Sequence, residues 1–431
     1  MSEHNVLLIG GGGREHAIAW KLQQSDYLGK LFIAPGNPGT AQIGTNSDLH
    51  ISDFEKVADF SIENKIDLVV VGPENPLVDG MADYLKDHNI PVFGPQKDAA
   101  RLEGSKDFAK SFMEKYDIPT AAYKSFSSDN TEEALSYIDS RGVFPVVLKA
   151  DGLAAGKGVF ICDSREEAEI RLDQYRSDEN LRKASGTIVV EEFMEGEEAS
   201  VFVISDGFTA KVIHNAQDHK RVGDGDTGLN TGGMGAYCPA PVMNKDVSEQ
   251  VEKEIIGPTI TGMQMEESPY KGILYVGLMI TSTGPKVVEY NCRFGDPECQ
   301  VILPSLKNDL LDLMLSAEEQ RLDQKEIQLD EKFRCCVVMA SGGYPESYEK
   351  GKAIHGLDSV DEELLVFQAG TIQSDDALLS SGGRVLNVVG SGDTLREAID
   401  HTYQNVEKIH FENAYYRTDI GAKGLKYYPK G

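Results

Sequence analysis

The chain has 431 residues, and 70 acidic against 42 basic residues give it a net charge of −28. So acidic a surface repels nucleic acid and anionic lipid, and neither is expected as a partner; the length suggests about three domains, and 40% hydrophobic residues can supply their cores. Six cysteines without a C-x-x-C pair argue against a disulfide framework or a structural zinc, no stretch approaches the about 18 apolar residues of a membrane helix, and the apolar run at the N-terminus is too short for a signal core, so a cytoplasmic protein is expected.

The chain opens with NVLLIG, a short buried strand, followed by four glycines and the helical REHAIAWKLQQS. KLFIAPGNPGT reads as a second strand and turn, KIDLVVVGPENP as a strand and loop, LVDGMADYLKDH as a helix and NIPVFGP as a further strand. Apolar strands alternating with helices predict a parallel sheet covered on both faces, ending near residue 103.

A second region opens with GSKDFAKSFMEKYDIPT, a helix that Ser105 can cap and that stops before Ile118-Pro119. Then come the strand AAYKSF, the helix TEEALSYIDSR and the strand FPVVLKA. KADGLAAGKGV, residues 149–159, has the small residues and lysine of a phosphate loop but not the Walker spacing, and it leads into another strand, GVFICD. That context predicts a hairpin with a glycine-rich flap. TIVVEEFMEGEEASVFVIS and FTAKVIH read as antiparallel strands, and residues 217–235 as a long polar loop of the kind that is usually functional or disordered. A helix, the strands GILYVGLMITS and GPKVVEYNCRF, and a helix near residues 306–319 complete this region, and a smaller α+β unit follows from about residue 331.

Four constellations can carry chemistry. On the strand of Glu289, Asn291 and Arg293, alternation puts all three on one face. A carboxylate and an amide there suit Mg²⁺, and Arg293 suits a transferring phosphoryl group; an ion pair between Glu289 and Arg293 on a half-buried strand explains the spacing as well. The GDPE turn after it, residues 295–298, reads as solvated. Glu191, Glu192 and Phe193 end an apolar strand whose backbone can meet an adenine edge, with Glu198 placed for ribose hydroxyls and Lys106, Lys149 and Lys157 as candidate phosphate ligands. Solvated acids on an edge strand and surface lysines are the plainer alternative. QDHKR, residues 217–221, packs charged and polar side chains into the glycine-rich loop and fits a charged ligand, or an ordinary surface loop. Gly10 to Gly13 at a helix start form a possible anion site, but G-x-G-x-x-G fails and the acid expected after the second strand is missing, so a phosphate-bearing ligand is favoured over a dinucleotide. The turns at Pro35-Gly36-Asn37 and Gly72-Pro73-Glu74 lie at the same sheet edge, and His16 reads as structural.

These motifs, with VGPENPL, LEGSKDFAK, VVEEFMEGEEAS, QDHKRVGDGDTGLNTGGMGAY and EYNCRFGDPECQ, resemble those of the glycinamide ribonucleotide synthetases of the ATP-grasp superfamily over nearly the whole chain. The resemblance implies an α/β and α+β multidomain fold. Its parts are an N-terminal open parallel-sheet (pre-ATP-grasp) domain at 1–103, an ATP-grasp domain at 104–328 with a flap subdomain at about 120–193, and a small C-terminal α+β domain at 329–431. It implies ligation of glycine to 5-phosphoribosylamine with ATP and Mg²⁺, or Mn²⁺, by a monomer of the single-function form. It makes Glu289 and Asn291 metal ligands, and Lys106, Lys149, Gly156, Lys157, Gly158, Glu191, Glu192, Phe193 and Glu198 nucleotide contacts. It makes Arg293, Lys220 and Asp218 catalytic, and Gly12, Gly13, Arg14, Gly36, Asn37, Glu74, Asp226 and Asn230 substrate contacts. Gly11 and Leu229 depart from the family's usual residues without removing a charge. Another ATP-grasp ligase, a NAD-dependent oxidoreductase and a non-catalytic nucleotide sensor are the rival readings.

Overall fold

A computed structural model of the chain describes residues 3–153, 158–178, 181 and 186–428. The first unit contains β1 (His4–Gly10), β2 (Leu28–Pro35), β3 (Thr45–Asn46), β4 (Leu68–Val71) and β5 (Val92–Phe93). They form an all-parallel sheet in the order β3-β2-β1-β4-β5. The apolar run of β1 is explained by two cores: Val6 and Leu8 pack with Ile18 and Leu22 on one side, Leu7 and Ile9 with Val57, Leu77 and Met81 on the other. The strand order reverses between β1 and β4, so a crevice is expected outside their carboxyl ends, where the glycine loop and Glu74 lie.

Ser105 caps the next helix, Lys106–Lys115, accepting a 3.1 Å bond from the Phe108 N–H. β6 (Tyr123–Ser127), β7 (Val146–Ala150), β8 (Val159–Cys162) and β9 (Thr187–Glu192) form a separate antiparallel sheet in the order β6-β9-β7-β8. Ile138 and Tyr175 of two helices cover Leu148 and Val190 on its back. The glycine-rich loop joins the antiparallel strands β7 and β8, whose last pair is Lys149 with Val159. A Walker loop, which runs from strand into helix, is excluded by this connection.

The largest sheet begins with β10 (Glu197–Asp206) and β11 (Ala210–Asp218) and includes β14 (Gly235–Cys238), β15 (Lys271–Thr281) and β16 (Gly284–Asn291), while β12 (Arg221–Gly223) and β13 (Thr227–Asn230) form a small hairpin of their own. The sheet continues into β17 (Phe333–Ser341), β18 (Leu365–Gln368) and β21 (Arg384–Gly392), in the order β16-β15-β10-β11-β14-β17-β21-β18. β19 (Thr371–Ser374) and β20 (Ala377–Ser380) pair with each other, and β22 (Ala414–Tyr415) adds to the edge of β17. The smaller α+β region is therefore joined to the strands of the middle region through β14 rather than standing apart. Residues 217–235, read from sequence as a polar loop, are instead the end of β11, the β12–β13 hairpin and β14. Strands this short and glycine-rich carry no apolar alternation, and only the Asp224-Gly225 turn signal announced them. No described helix is long and apolar enough to cross a membrane, and all six cysteines are buried and free.

Candidate active site

β16 pairs with β15 so that Gly277 lies opposite Glu289 and Tyr275 opposite Asn291. Arg293, just past the strand, does not pair with Glu289. Its Nη2 donates to Asn291 Oδ1 at 3.0 Å and to Glu103 Oε1 at 2.8 Å, and its Nε to Glu74 Oε2 at 3.2 Å. Glu103 also accepts a 2.7 Å bond from the Cys292 N–H, so this buried carboxylate fixes both the strand and the arginine. Among the described residues Glu289 has no ion pair. Burial works against its charge, but Lys220, Lys149 and Lys106 outweigh burial and hold the carboxyl below its usual range. No three His, Cys, Asp or Glu side chains cluster to hold a metal among the described residues. Glu289 thus offers free carboxylate oxygens on the strand face of Asn291, whose Oδ1 keeps one lone pair beside its bond from Arg293, and carboxylate and amide oxygens are the donors a hard cation takes.

Across the sheet, Lys220 Nζ lies 3.2 Å from Glu198 Oε2 and 3.1 Å from Asp218. Burial opposes its charge, but Asp218 and Glu198 raise its pKa well above the ordinary lysine value. The GDPE turn is not solvated: Glu298 is buried and accepts a 2.9 Å bond from the Tyr275 hydroxyl, which in turn accepts one from Ser200 at 2.8 Å. Burial and the charge of Asp218 push Glu298 up to about 7. Asp296 accepts from Gln300 at 2.8 Å and lies 3.4 Å from Arg384.

On the flap side, Glu191 is buried with Lys149 and Lys110, each Nζ 3.0 Å from Oε2. Its Oε1 has no hydrogen-bond partner among the described residues, an orphaned acceptor that suits an N–H donor such as an adenine amino group. Burial pushes Lys110 down to about 8 against the pull of Glu191. Lys106 Nζ donates to Gly152 O at 3.2 Å, and Lys149 Nζ also donates to Val288 O at 3.2 Å. Glu192 lies 3.5 Å from Lys286 and accepts from the Ala122 N–H at 3.1 Å, while Phe193 is partly exposed. A cavity of about 200 Å³ opens against Val190–Phe193 and Phe144–Val146. Gly158 O accepts from the Tyr175 hydroxyl at 2.9 Å; Gly156 and Lys157 lie outside the described residues.

At the parallel-sheet edge, Gly12 precedes the helix Gly13–Leu22, and its N–H donates to Glu15 Oε2 at 2.7 Å. A side chain at Gly10 or Gly72 would meet Glu15 at about 2.5 Å or less. Arg14 donates to Glu15 at 2.7 Å and to Phe294 O at 3.1 Å, and lies 3.9 Å from Glu74, completing a chain from the glycine loop to Arg293 and Asn291. Gly36, at φ +71°, packs on Asn46. Asn37 has a different place from the one its motif suggested. Its amide donates to Gly11 O at 3.0 Å and Gln368 O at 2.9 Å, and its Oδ1 accepts from the Gly39 and Thr40 N–H groups, so the fold uses the whole side chain. Burial pushes His16 down to about 4; its Nδ1 accepts from the Gln368 N–H at 2.8 Å, a structural role. Asp226 faces away from the cluster, toward Arg417 and Lys423. Asn230 ends β13 opposite Arg221.

Sequence reasoning missed Lys110, Glu103 and Glu15, and took Glu298 for a carboxylate of a solvated turn. Lys110 had a signal, since it falls four residues after Lys106 on the helix that Ser105 caps. The three carboxylates had none, because only the fold brings their partners.

Models of the phosphoribosylglycinamide synthetase N domain, ATP-grasp (A) domain and C domain match residues 4–103, 104–299 and 334–423. The chain is 51% identical to a phosphoribosylamine–glycine ligase of Mesorhizobium japonicum, covering 97% of both. A crystal structure of phosphoribosylamine–glycine ligase from Thermotoga maritima superposes with a TM-score of 0.84 at 36% identity, covering 96% of this chain and 99% of that one. The biotin carboxylase domain of Hydrogenobacter thermophilus 2-oxoglutarate carboxylase, solved with MgADP, ADP and bicarbonate, shares the fold at a TM-score of 0.72 and 14% identity over 100% of both chains. The chain belongs to the phosphoribosylglycinamide synthetase family, the phosphoribosylamine–glycine ligases.

Proposed function

We propose that the chain ligates glycine to 5-phosphoribosylamine with ATP through a glycyl phosphate, giving glycinamide ribonucleotide, ADP and phosphate, a step of purine synthesis. The observation that carries the site assignment is Glu289, without an ion pair among the described residues and held ionised amid Lys220, Lys149 and Lys106. A carboxylate kept free among cations suits a metal that bridges phosphates. Glu289 and Asn291 would hold Mg²⁺, and the same oxygen donors accept Mn²⁺; bound there, the ion supplies charge neutralisation at the phosphates. ATP would lie between the flap sheet and β16, with Lys106, Lys149, Lys157 and the glycines Gly156 and Gly158 about its phosphates. The backbone of Glu191 to Phe193 would meet the adenine, and Glu198 the ribose.

Glycine's carboxylate is a poor electrophile because oxide cannot leave. Its oxygen attacks the γ-phosphorus, and the bond to the bridging oxygen of ADP breaks. The ribosylamine nitrogen then attacks the glycyl carbonyl, phosphate leaves with the C–O electron pair, and the nitrogen gives up a proton. The residues act by positioning and by fixed charge. Lys220, oriented by Asp218, offers its ammonium to developing negative charge. Arg293 fixes Asn291 and ties it through Glu74 and Arg14 to the N-terminal crevice, where the loop of Gly12 would meet the ribosylamine phosphate; Gly13 and Gly36 support that loop by close packing, against Asn387 and Gln300 and against Asn46. Asn37 shapes that crevice through backbone contacts, and Asn230 borders the glycine side. We assign 1–103 to ribosylamine, 104–328 to ATP and glycine, and 329–431 to closing the crevice, in a cytoplasmic monomer.

Phosphate release from ATP and Mg²⁺ tests this reading, with glycine and freshly made 5-phosphoribosylamine omitted in turn and the product weighed by mass spectrometry. Release that needs both substrates and collapses on the order of 10²-fold or more in Glu289→Gln supports it. Release without the ribosylamine, or with another acid replacing glycine, overturns the substrate assignment.

A further inference from the structure

Arg417 lies near the end of the chain, yet it is fully buried. All three nitrogens of its fork are engaged. Nε and Nη2 donate to the two oxygens of Asp419 at 2.7 Å, and Nη1 donates to Arg221 O and Asp226 Oδ1, both at 3.0 Å. The neighbouring residues grip the same hairpin. The Tyr415 hydroxyl donates to Val222 O at 2.8 Å, the Thr418 N–H donates to Asp224 Oδ1 at 2.8 Å, and Asp419 Oδ2 accepts from the Gly225 N–H at 2.8 Å. Lys423 adds a second cation to Asp226.

β12 and β13 have few apolar residues, and Val222 is the one apolar side chain within β12. Their turn holds Gly225 and Asp226 in the left-handed region, at φ +67° and +56°. A two-stranded ribbon of this kind is marginal alone, so its position depends on what holds it. The base of the hairpin is Lys220, whose carbonyl accepts from Thr231 N and Thr231 Oγ1 at 2.8 and 2.9 Å. Arg417 grips the carbonyl of the next residue, Arg221. The neighbouring His219 is buried, and burial with Arg417 and Lys423 beside it pushes its pKa down to about 3, so it adds no charge.

We propose that the segment Tyr415 to Asp419 is a latch and that Arg417 is a positioning residue for glycine use, acting through the β12–β13 hairpin to set the Lys220 ammonium. Asp226 then serves as the latch's catch and not as a substrate contact. A planar fork spanning two acceptors cannot be replaced by a lysine point charge. The inference rests on the proposed catalytic role of the Lys220 ammonium, which would meet the negative charge that develops when the glycine carboxylate reacts.

The test compares the full chain with Arg417→Lys, Arg417→Gln, Tyr415→Phe and Asp226→Asn, reading kcat/KM for glycine, the Kd for ATP and amide hydrogen exchange. Arg417→Gln should lower kcat/KM for glycine on the order of 10²-fold, the scale of a 1 Å misplacement near the chemistry. ATP binding should stay within about 2-fold, and exchange should rise at residues 221–230. Arg417→Lys should fall between, and adding Asp226→Asn to it should have little further effect, since both act on one contact. If Arg417→Gln does not fold, Arg417→Lys and Tyr415→Phe decide. Glycine and ATP parameters that shift together, or hairpin exchange that rises without loss of glycine use, overturn the latch. A wild-type chain whose phosphate release does not need glycine overturns the underlying reading instead.

Discussion

Replacing Glu191 by Gln removes one charge and keeps the shape. Two ammonium groups, Lys110 and Lys149, each 3.0 Å from Oε2, then lose their counter-charge in a buried setting. Breaking a buried pair by removing one partner costs about 3–5 kcal/mol, which should lower the melting transition containing the flap sheet by on the order of 10 °C at pH 7. The pH dependence separates this cause from lost packing. Lys110 already has a folded pKa of about 8, below its unfolded value of 10.5. A lysine with a depressed folded pKa costs stability that is fully present below the folded pKa and is relieved as pH rises toward the unfolded one. Losing Glu191 depresses Lys110 further, so the unfolded chain binds more protons than the folded one over a wider range. The variant should regain up to about 1.4 kcal/mol per pH unit relative to wild type as pH rises from 7 to about 8, and the two should gain stability in parallel above that. Scanning calorimetry at pH 7, 8 and 9 measures this. A penalty below about 1 kcal/mol at pH 7, or one that grows with pH, would refute the reasoning.

Three further substitutions test other parts of the site. A Cβ at Gly39 would lie 2.1 Å from the His16 ring, so Gly39→Ala should destabilise by about 1–3 kcal/mol and shift the fluorescence of Trp20, which packs edge-on against Phe367 beside His16. Glu298 has a folded pKa raised to about 7; its burden is absent below the unfolded carboxyl value, grows as pH rises toward 7 and is constant above. Glu298→Gln should therefore raise the melting midpoint by a few °C at pH 8 relative to its effect at pH 4.5, and equal shifts at both would count against a buried charge there. Glu103→Gln keeps a carbonyl for Arg293 or for the Cys292 N–H but removes the charge that both share; kcat should fall by on the order of 10-fold with a raised Mg²⁺ requirement, since Asn291 loses its fixed neighbour. Unchanged metal dependence would separate Glu103 from Asn291.

The sequence legibly contained what depends on neighbours along the chain. β1 shows as a continuous apolar run because both of its faces are buried, the Ser105 cap shows as a Ser before a helix, and the flap shows as a glycine loop between two strands. Glu289 and Asn291 show as neighbours on one strand face because strand alternation needs no tertiary knowledge. What the sequence hid depends on distant partners. Asn37 and Asp226 are motif residues, yet their side chains join Gln368 and Arg417, more than 180 positions away. The GDPE turn looks polar enough for solvent, but Tyr275, Gln300 and Arg384 supply its hydrogen bonds and charge and allow it to be buried.

Arg293 shows how such partners change a chemical reading. From spacing, its choices were a phosphoryl group or Glu289. In the fold, Glu74, Glu103 and Asn291 hold its fork, and burial, which disfavours its charge, is outweighed by Glu103 and Glu74. An arginine with two carboxylates is a poor free electrophile but a rigid strut, and its two ends lie on the crevice that would take one substrate and the strand that would hold the metal. Moving Glu74 must therefore move Asn291. Glu74→Gln should weaken apparent Mg²⁺ affinity as well as ribosylamine use, and a variant that loses only the ribosylamine would show that the strut does not transmit.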